Sequence, residues 1–189
     1  MPTDVERQSE HQKYFRAYKQ PKYRMKVERM ADAVDGLAAL RKPRGSYLDV
    51  ACGRGDMLNA ARSLEFSPVM GTEIVPELID GVTVVYAQCH ALPFADKSFD
   101  VVSLYDVIEH LLPPDDEAVC REMARVARKH IFITANNKSS RQKNGDELHI
   151  NRRPYPEWDQ LFHQWFPGGL VVHLQAKQYI SEPWRIDLI

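Results

Sequence analysis

Two carboxylates and two glycines stand where the chain could hold a nucleotide-like ligand. In Tyr47-Leu48-Asp49-Val50-Ala51-Cys52-Gly53-Arg54-Gly55-Asp56, a strand-like run enters a glycine-bearing turn. Glycines there let backbone amides approach a ligand closely, and the N-terminus of a following helix favours an anion. Asp49 falls at the carboxyl end of the strand. Burying an unpaired carboxylate there is costly, so Asp49 reads as a ligand group rather than a core residue. A second run, Val69-Met70-Gly71-Thr72-Glu73, ends in an acid 24 residues after Asp49. A carboxylate at the tip of a second strand can accept hydrogen bonds from both hydroxyls of a ribose. The spacing is D-x-x-x-G-x-G, with the acid inside the strand, and not the G-x-G-x-x-G of nicotinamide dinucleotide folds.

These residues need elements that bring strand ends together. Helical spacing of apolar and aromatic residues covers 6–19 and 22–41, with Pro21 between them. Lys42-Pro43-Arg44-Gly45 breaks that pattern, and Ser46–Ala51 then reads as a strand. The turn at Cys52–Gly55 leads into a helical pattern over Asp56–Leu64. Short apolar runs recur at Pro68–Glu73, Val82–Tyr86, Phe99–Tyr105 and His130–Ala135. Between the last two, Asp115–Arg128 opens on acids and closes on bases, as the helix dipole favours. Strands alternating with helices imply a mainly parallel sheet in a doubly wound α/β fold. Gly169–Leu174 and Ala176–Ile180 have almost nothing between them. That is too little for a parallel crossover, so the pattern predicts an antiparallel hairpin.

The 189 residues suit one domain. No apolar run approaches a membrane span, and the first residues show no signal core. Cys52, Cys89 and Cys120 form no Cys-x-x-Cys pair, which speaks against a disulfide scaffold or a zinc knuckle. A cytoplasmic protein is expected. Charge is uneven along the chain. Residues 45–118 carry 13 acids against three bases, whereas 1–44 and 119–189 each carry eleven bases, against six and seven acids. The basic flanks read either as solvated helix surface or as a field that draws an anionic ligand.

Taken in order, four motifs share a known spacing. They are D-V-x-C-G-x-G at 49–55, G-x-E at 71–73, A-L-P-F-x-D-x-S-F-D-x-V at 91–102 and D-V-I-E-H-L at 106–111. From about Ser46 to Ala135 the chain resembles the class I S-adenosylmethionine-dependent methyltransferases of the type 11 branch. The resemblance implies a Rossmann-like, mainly parallel seven-stranded sheet ending in an antiparallel hairpin, with S-adenosyl-L-methionine as cofactor. It implies that residues 1–44 are helices covering the active site and 45–189 the core, one structural domain in all. Asp49 would orient the methionine ammonium, while Gly53 and Gly55 let the backbone lie against the ligand. Glu73 would hold the ribose and Ile74 would pack on adenine. Gln88 stands where the family usually has Asp, and its carbonyl can still accept from the adenine amino group. The Cys89 backbone would meet the adenine edge, and Tyr105 would line the methionine arm. Ala51 replaces a frequent Gly, a modest change unless the backbone there needs a positive φ. Leu92, Pro93, Phe94 and Phe99 read as packing.

Methyl transfer is an in-line displacement in which the cofactor supplies the reactivity and the protein supplies alignment, sometimes with a base. Candidates must lie beyond the fourth strand. Asp106, Glu109 and His110, at i, i+3 and i+4, would share one face of a short helix. His149 follows the fifth strand in a basic polar loop with no core to fill. His149 and His110 are the expected catalytic residues. Asp106-x-x-Glu109-His110 with a later His149 also resembles the Glu-x-x-Glu-His plus His metal site of small-RNA 2′-O-methyltransferases. The shorter Asp106 speaks against a preformed site, and no metal is assigned. Tyr14, Tyr18 and Tyr23, together with Lys138, Arg141, Lys143, Arg152 and Arg153, are expected to rim the acceptor pocket. That pattern favours a small anionic acceptor methylated on oxygen or nitrogen. No [DNS]-P-P-[YFW] box follows the fourth strand, which disfavours nucleic-acid amino groups without removing nucleic acid as an acceptor. A non-catalytic partner or regulatory subunit with the same fold is the other reading. The sequence carries no sign of oligomeric state.

Overall fold

In a computed structural model of the chain, the residues described are 2–20, 23, 27–142, 144–174 and 181–189. Seven strands form one sheet: β1 (Tyr47–Val50), β2 (Val69–Glu73), β3 (Val84–Tyr86), β4 (Phe99–Leu104), β5 (Ala127–Asn136), β6 (Leu170–His173) and β7 (Ser181–Asp187). Their order is β3-β2-β1-β4-β5-β7-β6. The first five are parallel to their neighbours, and β7 runs antiparallel between β5 and β6. Strand order reverses between β1 and β4, and such a point opens a crevice at the carboxyl ends of the strands.

Both faces of the sheet are covered, so the central strands are apolar on both sides. Leu48, Val102, Leu104, Ile131 and Ile133 turn towards α4 (Asp115–Val126) and α5 (Tyr155–Trp165). Tyr47, Val101 and Phe132 turn towards α2 (Val27–Ala38) and α3 (Asp56–Ser63). Ala33 and Leu37 place α2 in the core. The other N-terminal helix, α1 (Asp4–Tyr18), is different. It buries only Ala17 and is capped by a reciprocal Thr3–Glu6 pair. Its attachment to the rest of the chain is therefore polar.

The terminal hairpin is present, but its second strand is Ser181–Asp187. The stretch Ala176–Ile180 lies outside the described residues. Pro183 and the charged residues of β7 disguise it as a strand, yet Trp184 and Ile186 on its inner face are fully buried. Helix α5 carries no strong start signal in the sequence beyond Pro154. Its Trp158, Phe162 and Trp165 form an aromatic cluster that β7 completes with Trp184. Leu92 is buried in the core, and Phe94 meets Phe99 edge-on at 5.0 Å, which is the packing role expected of both. Among the described residues no helix is long and apolar enough to cross a membrane.

Candidate active site

Because β1 and β2 are parallel, Asp49 and Glu73 reach the same crevice. Asp49 is 3% exposed and accepts a 2.6 Å bond from the Ser103 hydroxyl, which is itself 2.6 Å from the Tyr47 hydroxyl. Burial raises the Asp49 carboxyl from 3.8 to about 7; Ser103 opposes that shift, and the neighbouring Glu73 charge adds to it. Glu73 accepts three backbone amides, from Gly53 at 2.8 Å, Ile74 at 2.8 Å and Val75 at 3.2 Å. Burial still pushes its carboxyl upward against those bonds. The tip of β2 is thus tied to the glycine turn before any ligand arrives.

The turn needs its glycines. Gly53 has φ 55° and Gly55 has φ 75°. A Cβ on Gly53 would lie 2.5 Å from the Tyr18 hydroxyl. Ala51 also sits at φ 57°, so its replacement of the family's Gly is not modest. It holds a left-handed conformation that costs an L-residue on the order of 1 kcal/mol.

Every residue assigned above to the cofactor, Gly55 excepted, lines one cavity of about 420 Å³. Gly55 instead precedes α3 as its N-cap. Two polar atoms in the cavity wall accept or donate nothing among the described residues: Gln88 Oε1 and the Tyr105 hydroxyl, both buried. A buried polar group without a partner is costly, so both atoms fit a wall that meets a polar ligand. The residues present therefore fit an S-adenosylmethionine molecule at this end.

His110 and His149 line the same cavity. The 3₁₀ turn Ile108–His110 follows β4. His110 Nδ1 is 2.9 Å from the Leu148 carbonyl, and His149 Nδ1 is 2.6 Å from the Lys138 carbonyl. A carbonyl only accepts, so each Nδ1 carries a proton and donates it. The rings meet edge-on, with centroids 4.6 Å apart. Glu109 is 0% exposed, and one potential ligand atom from each of Glu109, His110 and His149 lies within 4.8 Å of the others. Asp106 is not in that group. It has φ 54°, outside the 3₁₀ turn, and its Oδ1 accepts from the Ser181 hydroxyl at 2.9 Å. The expected common helical face of Asp106, Glu109 and His110 is absent because this segment is a single tight turn. His149, expected in a polar loop, is 5% exposed.

Spacing in the sequence could not reveal what holds that loop. The Asn151 amide donates to the Glu109 carbonyl at 2.9 Å, and Asn151 Nδ2 donates to Asp116 at 2.9 Å. Arg153 closes on Asp116 at 2.6 Å. Glu147 accepts the amides of Ser140 and His149 and the Ser139 hydroxyl. Burial is the largest single influence and raises the Glu147 carboxyl, but these bonds together outweigh it and bring it down to about 2.

Helix α1 lines the cavity through Arg7, Glu10, His11, Tyr14 and Tyr18. Arg7 grips Asp115 through two bonds of 2.8 Å, Arg16 meets Asp146 at 3.1 Å, and the Tyr14 hydroxyl reaches the Leu148 carbonyl at 3.4 Å. Tyr14 also lies edge-on to His110, at 5.5 Å. Arg54, in the glycine turn, donates to the carbonyls of Tyr18, Gln20 and Tyr23. Tyr14, Tyr18 and Tyr23 line the cavity as expected, and so do Arg7, His11 and His90, which sequence reasoning missed. Lys138, Arg141, Arg152 and Arg153 are outside the lining; Arg141 pairs with Glu147, and Arg153 with Asp116 and Glu157. Lys143 lies outside the described residues.

The methyltransferase domain family matches residues 48–133. No curated protein matches the chain. Among solved structures, a protein of Pyrococcus horikoshii is 19% identical and superposes with a TM-score of 0.72, over 94% of this chain and 99% of the other. The 1,6-didemethyltoxoflavin-N1-methyltransferase of Burkholderia thailandensis, solved with 1,6-didemethyltoxoflavin and S-adenosylhomocysteine, is 12% identical with a TM-score of 0.74, over 100% and 91%. The magnesium protoporphyrin IX methyltransferase of Synechocystis, solved with S-adenosylmethionine, is 14% identical with a TM-score of 0.59, over 88% and 86%. Residues 48–133 thus match the methyltransferase domain family, and the chain as a whole has the fold of the class I S-adenosylmethionine-dependent methyltransferases.

Proposed function

We propose that the protein methylates an oxygen or nitrogen of a small acceptor held between the cofactor and the His110–His149 pair. The observation that carries this reading is that Asp49 and Glu73, His110 and His149, and five residues of α1 line one cavity. A cavity of this size suits a small molecule better than a polymer strand. The Burkholderia relative, which holds a small heterocycle beside its cofactor product, supports the same reading.

In this arrangement Asp49 meets the methionine ammonium, Glu73 the ribose, Gln88 the adenine amino group, and Ile74 and Cys89 flank the base. Tyr105 closes the methionine arm. The acceptor lone pair attacks the methyl carbon, the carbon–sulfur bond breaks, and its electron pair returns to sulfur. The acceptor's proton has to leave, and in this reading His110 or His149 takes it and passes it to solvent. The acceptor is anionic in this reading because bases exceed acids in both flanks. With Lys138, Arg141, Arg152 and Arg153 outside the cavity lining, that attraction acts at long range.

The test is S-adenosylhomocysteine release with panels of small phenols, hydroxy acids and amines, and with RNA and DNA. Turnover with members of the small-molecule panels is expected. Turnover confined to nucleic acid, or none with any panel, would overturn the reading.

A further inference from the structure

We propose that Ser103 and Tyr47 are positioning residues for the methionine ammonium of the cofactor, acting through Asp49. Their hydroxyls form a buried chain in which Tyr47 donates to Ser103 and Ser103 donates to Asp49. The chain occupies one carboxylate oxygen and leaves the other for the ligand. The inference rests on the reading that Asp49 meets the ammonium.

Strand register builds the chain. Tyr47 and Asp49 are two residues apart on β1, so both side chains turn to the same face of the sheet. On the parallel neighbour β4, Ser103 is the register partner of Asp49. Ser103 Oγ is accordingly 2.6 Å from Asp49 Oδ1 and 2.6 Å from the Tyr47 hydroxyl. Its remaining contact, to the Leu48 carbonyl, is longer at 3.4 Å. Tyr47 and Ser103 are both fully buried.

Proton counting gives the chain its direction. A hydroxyl has one proton to donate, and an ionised carboxylate only accepts. With Asp49 ionised, Ser103 gives its proton to Oδ1 and receives that of Tyr47, so every hydrogen has an acceptor. A proton on Oδ1 would break this order. Ser103 would have to turn to the distant Leu48 carbonyl or to the Tyr47 oxygen. Among the described residues the Tyr47 hydroxyl has no other partner, so in the second case its own hydrogen would be stranded. The chain therefore favours the charged form that an ammonium needs.

Packing alone requires neither hydroxyl. The Tyr47 ring meets Phe66 at 5.5 Å, a contact that Phe would also make, and Ser103 lies between the buried Val102 and Leu104. Two hydroxyls on such a face cost free energy unless they are bonded, and their bonds lead to the carboxylate. The other titratable groups acting on Asp49 are Glu73 on β2, Cys52 in the turn and Tyr105 beyond β4; none is a cation. Arg54, in the same turn, is engaged with the carbonyls of Tyr18, Gln20 and Tyr23. Ser103 is thus the group that opposes the rise burial imposes on the Asp49 carboxyl.

The test titrates Asp49 directly, by the NMR shift of its carboxyl carbon in ligand-free protein, and measures S-adenosylmethionine affinity by calorimetry. Ser103→Ala should raise the Asp49 midpoint by about one pH unit, the worth of one hydrogen bond to a charged group. Affinity below about pH 7 should fall about five- to tenfold in that variant, and by less as pH rises. Tyr47→Phe keeps the ring and should act in the same direction by about two- to threefold. Ser103→Thr restores the hydroxyl and should restore the wild-type profile. Methylthioadenosine, which has no ammonium, should bind all of them alike. Circular dichroism checks folding, and Tyr47→Phe carries the test if Ser103→Ala does not fold. An Asp49 midpoint unmoved in the folded variants would overturn the proposal, as would an affinity loss shared equally by methylthioadenosine. Asp49 would keep its place at the ammonium in that event if Asp49→Asn still weakens S-adenosylmethionine alone. A midpoint that moves while S-adenosylmethionine affinity does not would remove Asp49 from the ammonium site, and the proposal with it.

Discussion

Burial that lifts the Asp49 carboxyl to about 7 couples cofactor binding to a proton. Well below pH 3.8 both the folded and unfolded chains keep Asp49 neutral. Between 3.8 and about 7 the unfolded chain ionises it and the folded chain does not, so its contribution makes stability fall across that window and level off above it. An ammonium beside Asp49 favours the ionised form. Affinity for S-adenosylmethionine should therefore rise as pH passes from 6 towards about 7.5, with proton release on binding visible by calorimetry in buffers of different ionisation enthalpy. Asp49→Asn should flatten that dependence; an unchanged slope would remove Asp49 from the ammonium site. At Glu73 the three amide bonds mean that Glu73→Ala loosens the glycine turn as well as the ribose contact. A cofactor affinity loss of about 2–3 kcal/mol is expected, the scale for losing hydrogen bonds to a charged group. Ala51 offers the opposite case. Relief of its φ of 57° in Ala51→Gly should stabilise the fold by about 0.5–1 kcal/mol, seen as a Tm raised by about 1–4 °C.

At the scale of elements, α1 lines the cavity and is held mainly by polar contacts. It hides one residue and is fastened by Arg7 to Asp115 and by Arg54 to the carbonyls at its far end. Arg7→Ala should speed cofactor dissociation by about tenfold, the equivalent of one partly exposed charged contact. Thermal stability should hardly move, because little apolar surface is lost. Stopped-flow release measures it, and an unaltered rate would mean that α1 does not gate the cavity. Elements with a strong period or a glycine-bearing turn were legible in the sequence: β1 with its turn, β2, β4 and α4 all lie within a few residues of where the pattern puts them. Helix α5 and strand β7 were not, because Tyr155–Trp165 lacks a cap and Ser181–Asp187 carries Pro183 and charges on its outer face. The segment 106–110 was misread as a helix because i, i+3 spacing cannot distinguish a helical face from one 3₁₀ turn.

For the whole molecule, the meeting of Asp49 and Glu73 at the glycine turn was legible because strand, turn and acid lie close in sequence. The histidine pair was only partly so. That His149 meets His110 depends on Asn151, Asp116 and Arg153, and no spacing along the chain encodes their meeting. The basic flanks make a molecular-scale prediction. An anionic acceptor drawn by that field should show a KM that rises with ionic strength, since exposed charges are screened beyond about 8 Å at physiological salt. Cofactor affinity, set by buried groups, should move little. A KM independent of salt would reduce the uneven charge to solvated surface. Whether one cavity holds cofactor at Asp49 and Glu73 and acceptor at His110 and His149 is tested most directly by measuring kcat and S-adenosylmethionine affinity together in His149→Ala, with an acceptor that turns over. The expected result is a kcat lowered by about 10²–10⁴-fold, the range for losing a group that activates the acceptor, with cofactor affinity unchanged. A wild-type kcat, or a loss confined to cofactor affinity, would contradict it.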